Sequence, residues 1–314
     1  MPSACGKEIP RIRRVRAIIA GGTGFIGREL ARELKDNGWD IVVLSRNPGK
    51  VADVFGGGVI GMPWDNGDWP DLLGPDTAVV NLAGANIAAG RWTRKRKEAI
   101  LRSRVRAGER INQAAQKASA LPAVLIQGSA VGYYGPCGNT PVNEYAESGT
   151  GFLAEVTRQW EASSAPLENA GVRRCIIRTG MVLGHGGALP RILTPFRFFV
   201  GGPPGNGLQG VSWIHLRDQA RAIRFLMEQP ETSGPYNLTA PQPVNFRKFA
   251  HILGTVLNRP YKTPVPPFAL RLLFGDMADE LLLGGQFALP ERLLKAGFTF
   301  RFPHLDEALR DILK

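Results

Sequence analysis

Three glycines, Gly21, Gly24 and Gly27, follow the apolar run Val15–Ala20 and lead into an amphipathic stretch from Arg28 to Asn37. Free backbone N–H groups at the start of a helix carry positive partial charge and bind anions. In a strand–turn–helix setting the glycines have separate tasks. Gly21 turns the chain sharply, Gly24 admits a pyrophosphate with no Cβ in the way, and Gly27 lets the helix pack closely on the sheet. The chemistry expected here is capture of the phosphates of a dinucleotide.

A second chemical signal stands at the end of the next apolar run, Asp40–Leu44, where Ser45 and Arg46 follow and no acid does. A carboxylate at this place in a Rossmann fold binds the 2′-hydroxyl of NAD, whereas a guanidinium grips a 2′-phosphate in bidentate fashion. The pair therefore predicts NADP(H) over NAD(H). Asp65, after a third short strand at 59–62, is a candidate neighbour of the adenine. Leu82, Ala83 and Gly84 close a fourth strand with small residues that let a dinucleotide lie near the backbone. Arg104 lies on the long helix pattern 98–118 that runs beside the same groove, behind the basic run Arg91–Lys97.

These residues require strands and helices in strict alternation to hold them. A fifth strand at 123–129 ends on Ser129, a helix spans 152–170, and a sixth strand and turn run over 174–184. That alternation predicts an α/β, Rossmann-type, doubly wound parallel sheet. The expected organisation is a loose basic extension over 1–14, a nucleotide-binding domain over 15–184 to which 213–241 returns, and a smaller lobe over 185–314, mainly helical from 246. The Pro-, Gly- and Phe-rich stretch 190–210 reads as a loop or lid. Phe196, Phe198 and Phe199 in it read as pocket residues.

The chain has 314 residues, 44% of them hydrophobic, which is ample for a large core. Cys5, Cys137 and Cys175 are far apart and form no CxxC, so neither a disulfide framework nor a metal site is expected, and a reducing cytoplasm fits. No apolar run reaches the length of a membrane span, and no membrane partner is expected. The net charge of +12 has no helix-turn-helix, zinc finger or RNP motif beside it. It therefore argues for attracting an anionic small molecule before a nucleic acid.

The ordered motifs GGTGFIG (21–27), NLAG (81–84), RTGMVLG (178–184), WIHLRD (213–218) and GPYNLTAP (234–241) resemble the extended short-chain dehydrogenase/reductase superfamily. NLAGANI (81–87), AVGYYG (130–135), VLGHGGALP (182–190) and PERLLKAGFTFRFP (290–303) are similar to one branch of it. That branch is the "epimerase family" proteins, related to NAD-dependent epimerases and dehydratases, some of them labelled cell-division-inhibitor-like. The resemblance implies NADP(H) as cofactor. It places Gly21, Thr23, Gly24, Phe25 and Ile26 at the pyrophosphate and Ser45 and Arg46 at the 2′-phosphate. It places Leu82, Ala83 and Gly84 along the riboses, with Arg104 and Val182 lining the groove.

The superfamily's Tyr-x-x-x-Lys pair is missing: counting back from Glu161, its places hold Leu153 and Thr157. Ser129, Tyr133 and Tyr134 are the remaining catalytic candidates. A phenol there serves as an acid if a nearby cation, from Arg178 or the Arg91 segment, stabilises its anion. His215 and Asp218 read either as a dyad or as residues at the start of a helix. Two functions stay open: an NADP-dependent oxidoreductase or epimerase acting on a small carbonyl or sugar-like substrate, and a non-catalytic NADPH sensor working through a protein partner. A nucleic-acid-binding protein is the third.

Overall fold

Seven parallel strands form the centre of the computed structural model, which describes residues 15–65 and 67–314. They are β1 (Arg16–Ala20), β2 (Asp40–Ser45), β3 (Val59–Pro63), β4 (Thr77–Asn81), β5 (Val124–Ala130), β7 (Arg173–Thr179) and β11 (Gly234–Leu238), in the order β11-β7-β5-β4-β1-β2-β3. Three two-stranded ribbons complete the β structure. They pair β8 (Met181–Leu183) with β10 (Trp213–His215), β9 (Gly210–Val211) with β12 (Val244–Asn245), and β6 (Pro141–Val142) with β13 (Phe287–Ala288). The basic extension expected over 1–14, with Cys5, lies outside the described residues.

Residues 17–20, 42–44 and 78–80 are almost wholly buried, as both faces of a parallel sheet must be when helices cover them. The chain order reverses between β1 and β4. Ala20 pairs with Asn81, so the turns leaving these two strands emerge side by side. This is the switch point at which doubly wound sheets bind ligands. Helix α1 (Phe25–Asp36) follows β1, α2 (Gly49–Phe55) follows β2, and α3 (Arg94–Lys117) follows β4; the single helix expected over 152–170 after β5 is two, α4 (Phe152–Ala162) and α5 (Ala165–Asn169). Thr93 starts α3, its hydroxyl accepting from the Arg96 N–H at 3.2 Å. Arg94 to Lys97 of the basic run therefore form the first turn of that helix, and Arg91 precedes it.

The sixth strand expected over 174–184 is two strands. It breaks at Gly180, where a Cβ would sit 2.4 Å from the Ser212 carbonyl oxygen. The Gly180 N–H donates to Leu238 while Met181 donates to Ser212 at 2.7 Å. The chain thus leaves the main sheet and β8 joins β10.

The stretch expected as a loop over 190–210 opens as helix α6 (Leu189–Arg197). Pro190 sits in its first turn, where no N–H is needed. Leu189, Leu193 and Phe196 bury an apolar stripe there. Phe196 is core, whereas Phe198 and Phe199, expected as pocket residues, are 74% and 58% exposed.

Helices α7 (Leu216–Glu228), α8 (Phe246–Leu257) and α9 (Pro267–Phe274) follow. The closing helix Leu305–Leu313 packs with α8 in a second core around Trp213, Phe196 and Phe249. No helix among the described residues is long and apolar enough to cross a membrane.

Candidate nucleotide and proton-transfer site

The glycine turn has the geometry its spacing requires. Gly21 has φ of +83°, and a Cβ there would lie 2.8 Å from the Leu82 carbonyl. A Cβ on Gly27 would lie 2.4 Å from the Gly21 oxygen, so that residue brings α1 onto the strand end. Gly24 caps α1 with backbone alone: it offers no side chain, and the first turn holds no acid. A Cβ there would meet only the Gly21 oxygen, at 3.1 Å. Gly24 is exposed and Thr23 half-buried beside it, while the N–H groups that open α1, from Phe25 and Ile26 onward, have no helical partner of their own. An uncapped, acid-free helix start fits a phosphate group.

Ser45 and Arg46 stand just beyond β2. The Ser45 hydroxyl donates to the Asn47 carbonyl at 3.0 Å and accepts from the Asn47 N–H at 3.1 Å, which curls the chain and presents Arg46 outward. Arg46 is exposed and its guanidinium makes no hydrogen bond or ion pair. Asp65, the expected neighbour of the adenine, pairs with Arg110 of α3 at 3.1 Å.

On the other side of the switch point, the Asn81 side chain accepts from the Ala83 N–H at 3.3 Å and donates to Gln127 at 3.1 Å, which shapes the 82–84 turn from below. Arg104 supports it further: Nη1 donates to the carbonyls of Ala85 and Ile100 at 3.1 and 3.0 Å. A Cβ on Gly84 would sit 2.9 Å from the Arg104 Cζ, so the glycine is what lets the guanidinium reach up. Burial, and then the like charge of Arg96, push the Arg104 pKa down to about 10. The cation is met inside the protein by those two carbonyls and by the Trp160 ring, whose centroid lies 4.9 Å from Cζ. Val182 is buried in β8, opposite Ile214.

The three catalytic candidates meet in one buried network around Arg178 of β7. Ser129 donates to Glu161 Oε1 at 2.6 Å. Arg178 Nε and Nη2 donate to the two Glu161 oxygens at 3.0 and 3.1 Å, and Nη1 donates to the Tyr134 hydroxyl at 3.2 Å. Burial alone would depress the Arg178 pKa, but hydrogen bonding and charge from Glu161, then from Tyr134, hold it above its ordinary value.

Tyr134 in turn donates to Asn237 Oδ1 at 2.7 Å. Burial pushes its pKa up to about 12, against the pull of Arg178. The hydroxyls of Ser129 and Tyr134 are thus both spent inside the protein. Tyr133 differs. It is half-buried, its hydroxyl makes no hydrogen bond, and the Arg178 Cζ lies 3.4 Å from its ring centroid. Arg91 is exposed and approaches Gly275, not this network.

Leu153 and Thr157, in the places of the missing Tyr and Lys, sit on α4 beside this cluster. A Cβ on Gly132 would touch the Leu153 Cβ at 3.1 Å, and the Thr157 hydroxyl donates back to the carbonyls of Leu153 and Ala154. His215 and Asp218 do not form a dyad. His215 caps α7, its Nδ1 accepting from the Arg217 N–H at 3.1 Å, and its ring packs on Phe302 at 4.0 Å. The Asp218 carboxylate accepts from the N–H groups of Arg301 and Phe302 at 2.9 and 2.8 Å.

Residues 17–239 match the model of the NAD dependent epimerase/dehydratase family. The chain belongs to that family. Residues 265–312 match a domain of unknown function, DUF1731. Among relatives of the epimerase family, the epimerase family protein YfhF of Bacillus subtilis is 38% identical, over 94% of this chain and 97% of its own. The chloroplastic SDR39U1 homolog of Arabidopsis thaliana is 39% identical, over 94% and 86%. The crystal structure of human epimerase family protein SDR39U1 with NADPH shares the fold at a TM-score of 0.86 and 32% identity, covering 95% of this chain and 98% of that one.

Three features of this family member escape a reading of local sequence. Gly22 is constrained as tightly as its neighbours, since a Cβ would lie 2.6 Å from Val43 Cγ2. The Phe25 ring is clasped by Gly184, Gly186 and Gly187, on each of which a Cβ would come within 2.7 to 3.0 Å of it. The HGG run is the only signal of that contact. Glu280, from the C-terminal segment, accepts from the N–H groups of Phe152 and Leu153 at 2.7 and 2.8 Å and so caps α4. No signal near α4 points to it.

Proposed function

We propose that this chain binds NADP(H) and acts as an oxidoreductase or epimerase on a small carbonyl or sugar-like substrate, with Tyr133 as its proton-transfer group. The observation that carries the nucleotide reading is the unpaired Arg46 guanidinium at the end of β2, where NAD binders place an acid. Around it, the open start of α1 would hold the pyrophosphate through the N–H groups that follow Gly24, with Thr23, Phe25 and Ile26 in the same turn. Leu82, Ala83 and Gly84, propped by Arg104, would hold the riboses, and Val182 would back the groove. The NADPH found with the human relative supports the same choice.

The nicotinamide, when bound, supplies hydride transfer; the protein supplies position and a proton. Tyr133 Oη would hold that proton. The Arg178 guanidinium lies against its ring face, 3.4 Å from the centroid, and holds the ring in place. Glu161 fixes Arg178 in place and Ser129 fixes Glu161, so Ser129 and Tyr134 act as positioning residues. Calorimetric titration with NADPH and NADH tests the cofactor. Micromolar NADPH binding with much weaker NADH binding is expected, and no dinucleotide binding would end the reading.

One observation favours the second reading, a non-catalytic NADPH sensor: the hydroxyls of Ser129, Tyr134 and Thr157 are all committed to internal partners. Tyr133→Phe separates the two. An enzyme loses turnover while holding NADPH, and a sensor is unaffected.

A further inference from the structure

Helix α6 is followed by three consecutive exposed apolar residues, Phe198, Phe199 and Val200, at 74%, 58% and 52% exposure. Phe199 has φ of +62°, a strained conformation for a residue with a Cβ, yet the ring it turns outward gains no apolar burial. Its one ring contact is with Arg259, whose Cζ stands 4.5 Å from the centroid.

A second exposed apolar run lies alongside. Backbone hydrogen bonds from Thr263 to Gly201, Val265 to Pro203 and Gly205 to Val265 tie the two segments together at 3.2, 3.0 and 2.9 Å. The tied segment continues directly into α9, where Phe268, Leu272 and Leu273 are 72%, 72% and 61% exposed. Phe268 and Leu272 are four residues apart and share a helix face.

Charge decides what covers this face. From Asn169 to Arg217, and again from Thr232 to Gly275, the chain contains no Asp or Glu. Both exposed runs fall inside these acid-free stretches. Arg197, Arg259 and Lys262 stand among them without an ion pair. The neighbouring acids just beyond, Asp276 and Asp279, are already paired with Lys97 at 2.6 Å and Arg271 at 2.9 Å. A second copy would bring this cationic face against itself in a chain of net charge +12, which like-charge repulsion opposes. Exposed aromatic and aliphatic side chains at a turn tip, ringed by unpaired cations, match an anionic interface into which they can insert.

We propose that the face formed by Phe198–Val200 and Phe268–Leu273 is a peripheral docking surface for an anionic lipid membrane. It needs no spanning helix, and it runs against the expectation from the sequence that the chain has no membrane partner. It stands apart from the nucleotide reading, since none of its residues belongs to that groove.

The test is co-sedimentation of the full chain with vesicles of phosphatidylcholine alone and of phosphatidylcholine mixed with phosphatidylglycerol. The wild type is expected to pellet with the mixed vesicles and not with the neutral ones. Phe198→Ser with Leu272→Ser is expected to lower that partition by about tenfold or more, since two large apolar groups no longer leave water. Because both positions are exposed, the melting temperature stays unchanged. Failure to bind the mixed vesicles overturns the proposal, as does equal binding by the variant. A dimer split by the same substitutions, with no vesicle binding, assigns the face to a second copy. Capture by polyglutamate but not by vesicles assigns it to an acidic protein.

Discussion

Replacing Glu161 by Gln removes one charge from a pair that water scarcely reaches. Glu161 is 9% exposed and Arg178 4%. The glutamate accepts two hydrogen bonds from the guanidinium, at 3.0 and 3.1 Å, and a third from Ser129 at 2.6 Å. Breaking a buried ion pair from one side costs about 3–5 kcal/mol, because the remaining charge is left uncompensated. The amide keeps one carbonyl oxygen, and Arg178 still donates to the Tyr134 hydroxyl at 3.2 Å, so the loss belongs near the lower end of that range, about 3 kcal/mol. Urea unfolding at neutral pH reads this as a lower midpoint at unchanged slope. Glu161→Leu with Arg178→Met, which leaves no charge behind, is expected to lose less than Glu161→Gln alone. A loss below about 1 kcal/mol, the scale of an exposed pair, would refute the reasoning. So would a double variant less stable than the single one.

Arg46→Ala is expected to weaken NADPH by about 1–3 kcal/mol, the scale of a charge-assisted contact, and to leave NADH almost unchanged; equal losses for both nucleotides would remove Arg46 from the 2′-phosphate. Burial, opposed by Asp311 and Asp218, holds the His215 pKa down to about 4. The unfolded chain takes up that proton near pH 6.5, so stability is complete above pH 6.5 and declines as the pH falls toward 4. Between pH 7 and pH 5 the loss is about 2 kcal/mol. Urea midpoints at the two pH values measure it, and His215→Asn must show a smaller difference between them. Tyr133→Phe, assayed once a turnover substrate is found, is expected to cut kcat by about a hundredfold or more at unchanged NADPH affinity, the lower end of what general acid–base catalysis contributes.

The glycine turn, the alternation of strands and helices, and the lack of an acid after β2 were readable because each is a local property. Backbone sterics and side-chain periodicity act over a few residues, and Gly21, Gly24 and Gly27 carry their meaning within one turn. The segment 174–184 read as one strand because its apolar pattern is continuous. It breaks at Gly180 because the carbonyl of Ser212, far along the chain, occupies the space of a side chain. The Phe-rich stretch read as pocket lining by composition alone, and composition does not say which face of a helix end meets water.

The sequence by itself determined a parallel, doubly wound nucleotide-binding sheet, and marked Arg46 at the end of its second strand. Tertiary structure decided which hydroxyls remain available for chemistry. It joined Ser129 to Glu161, Tyr134 to Asn237 and Glu280 to the start of α4 across separations of 32, 103 and 128 residues. A buried polar group must find a partner wherever packing brings one, and packing is set by the whole core, not by neighbours in sequence. Tyr133 keeps a free hydroxyl, its ring face lying on the buried Arg178 guanidinium, while the hydroxyls of Ser129 and Tyr134 are taken up by residues distant in the chain.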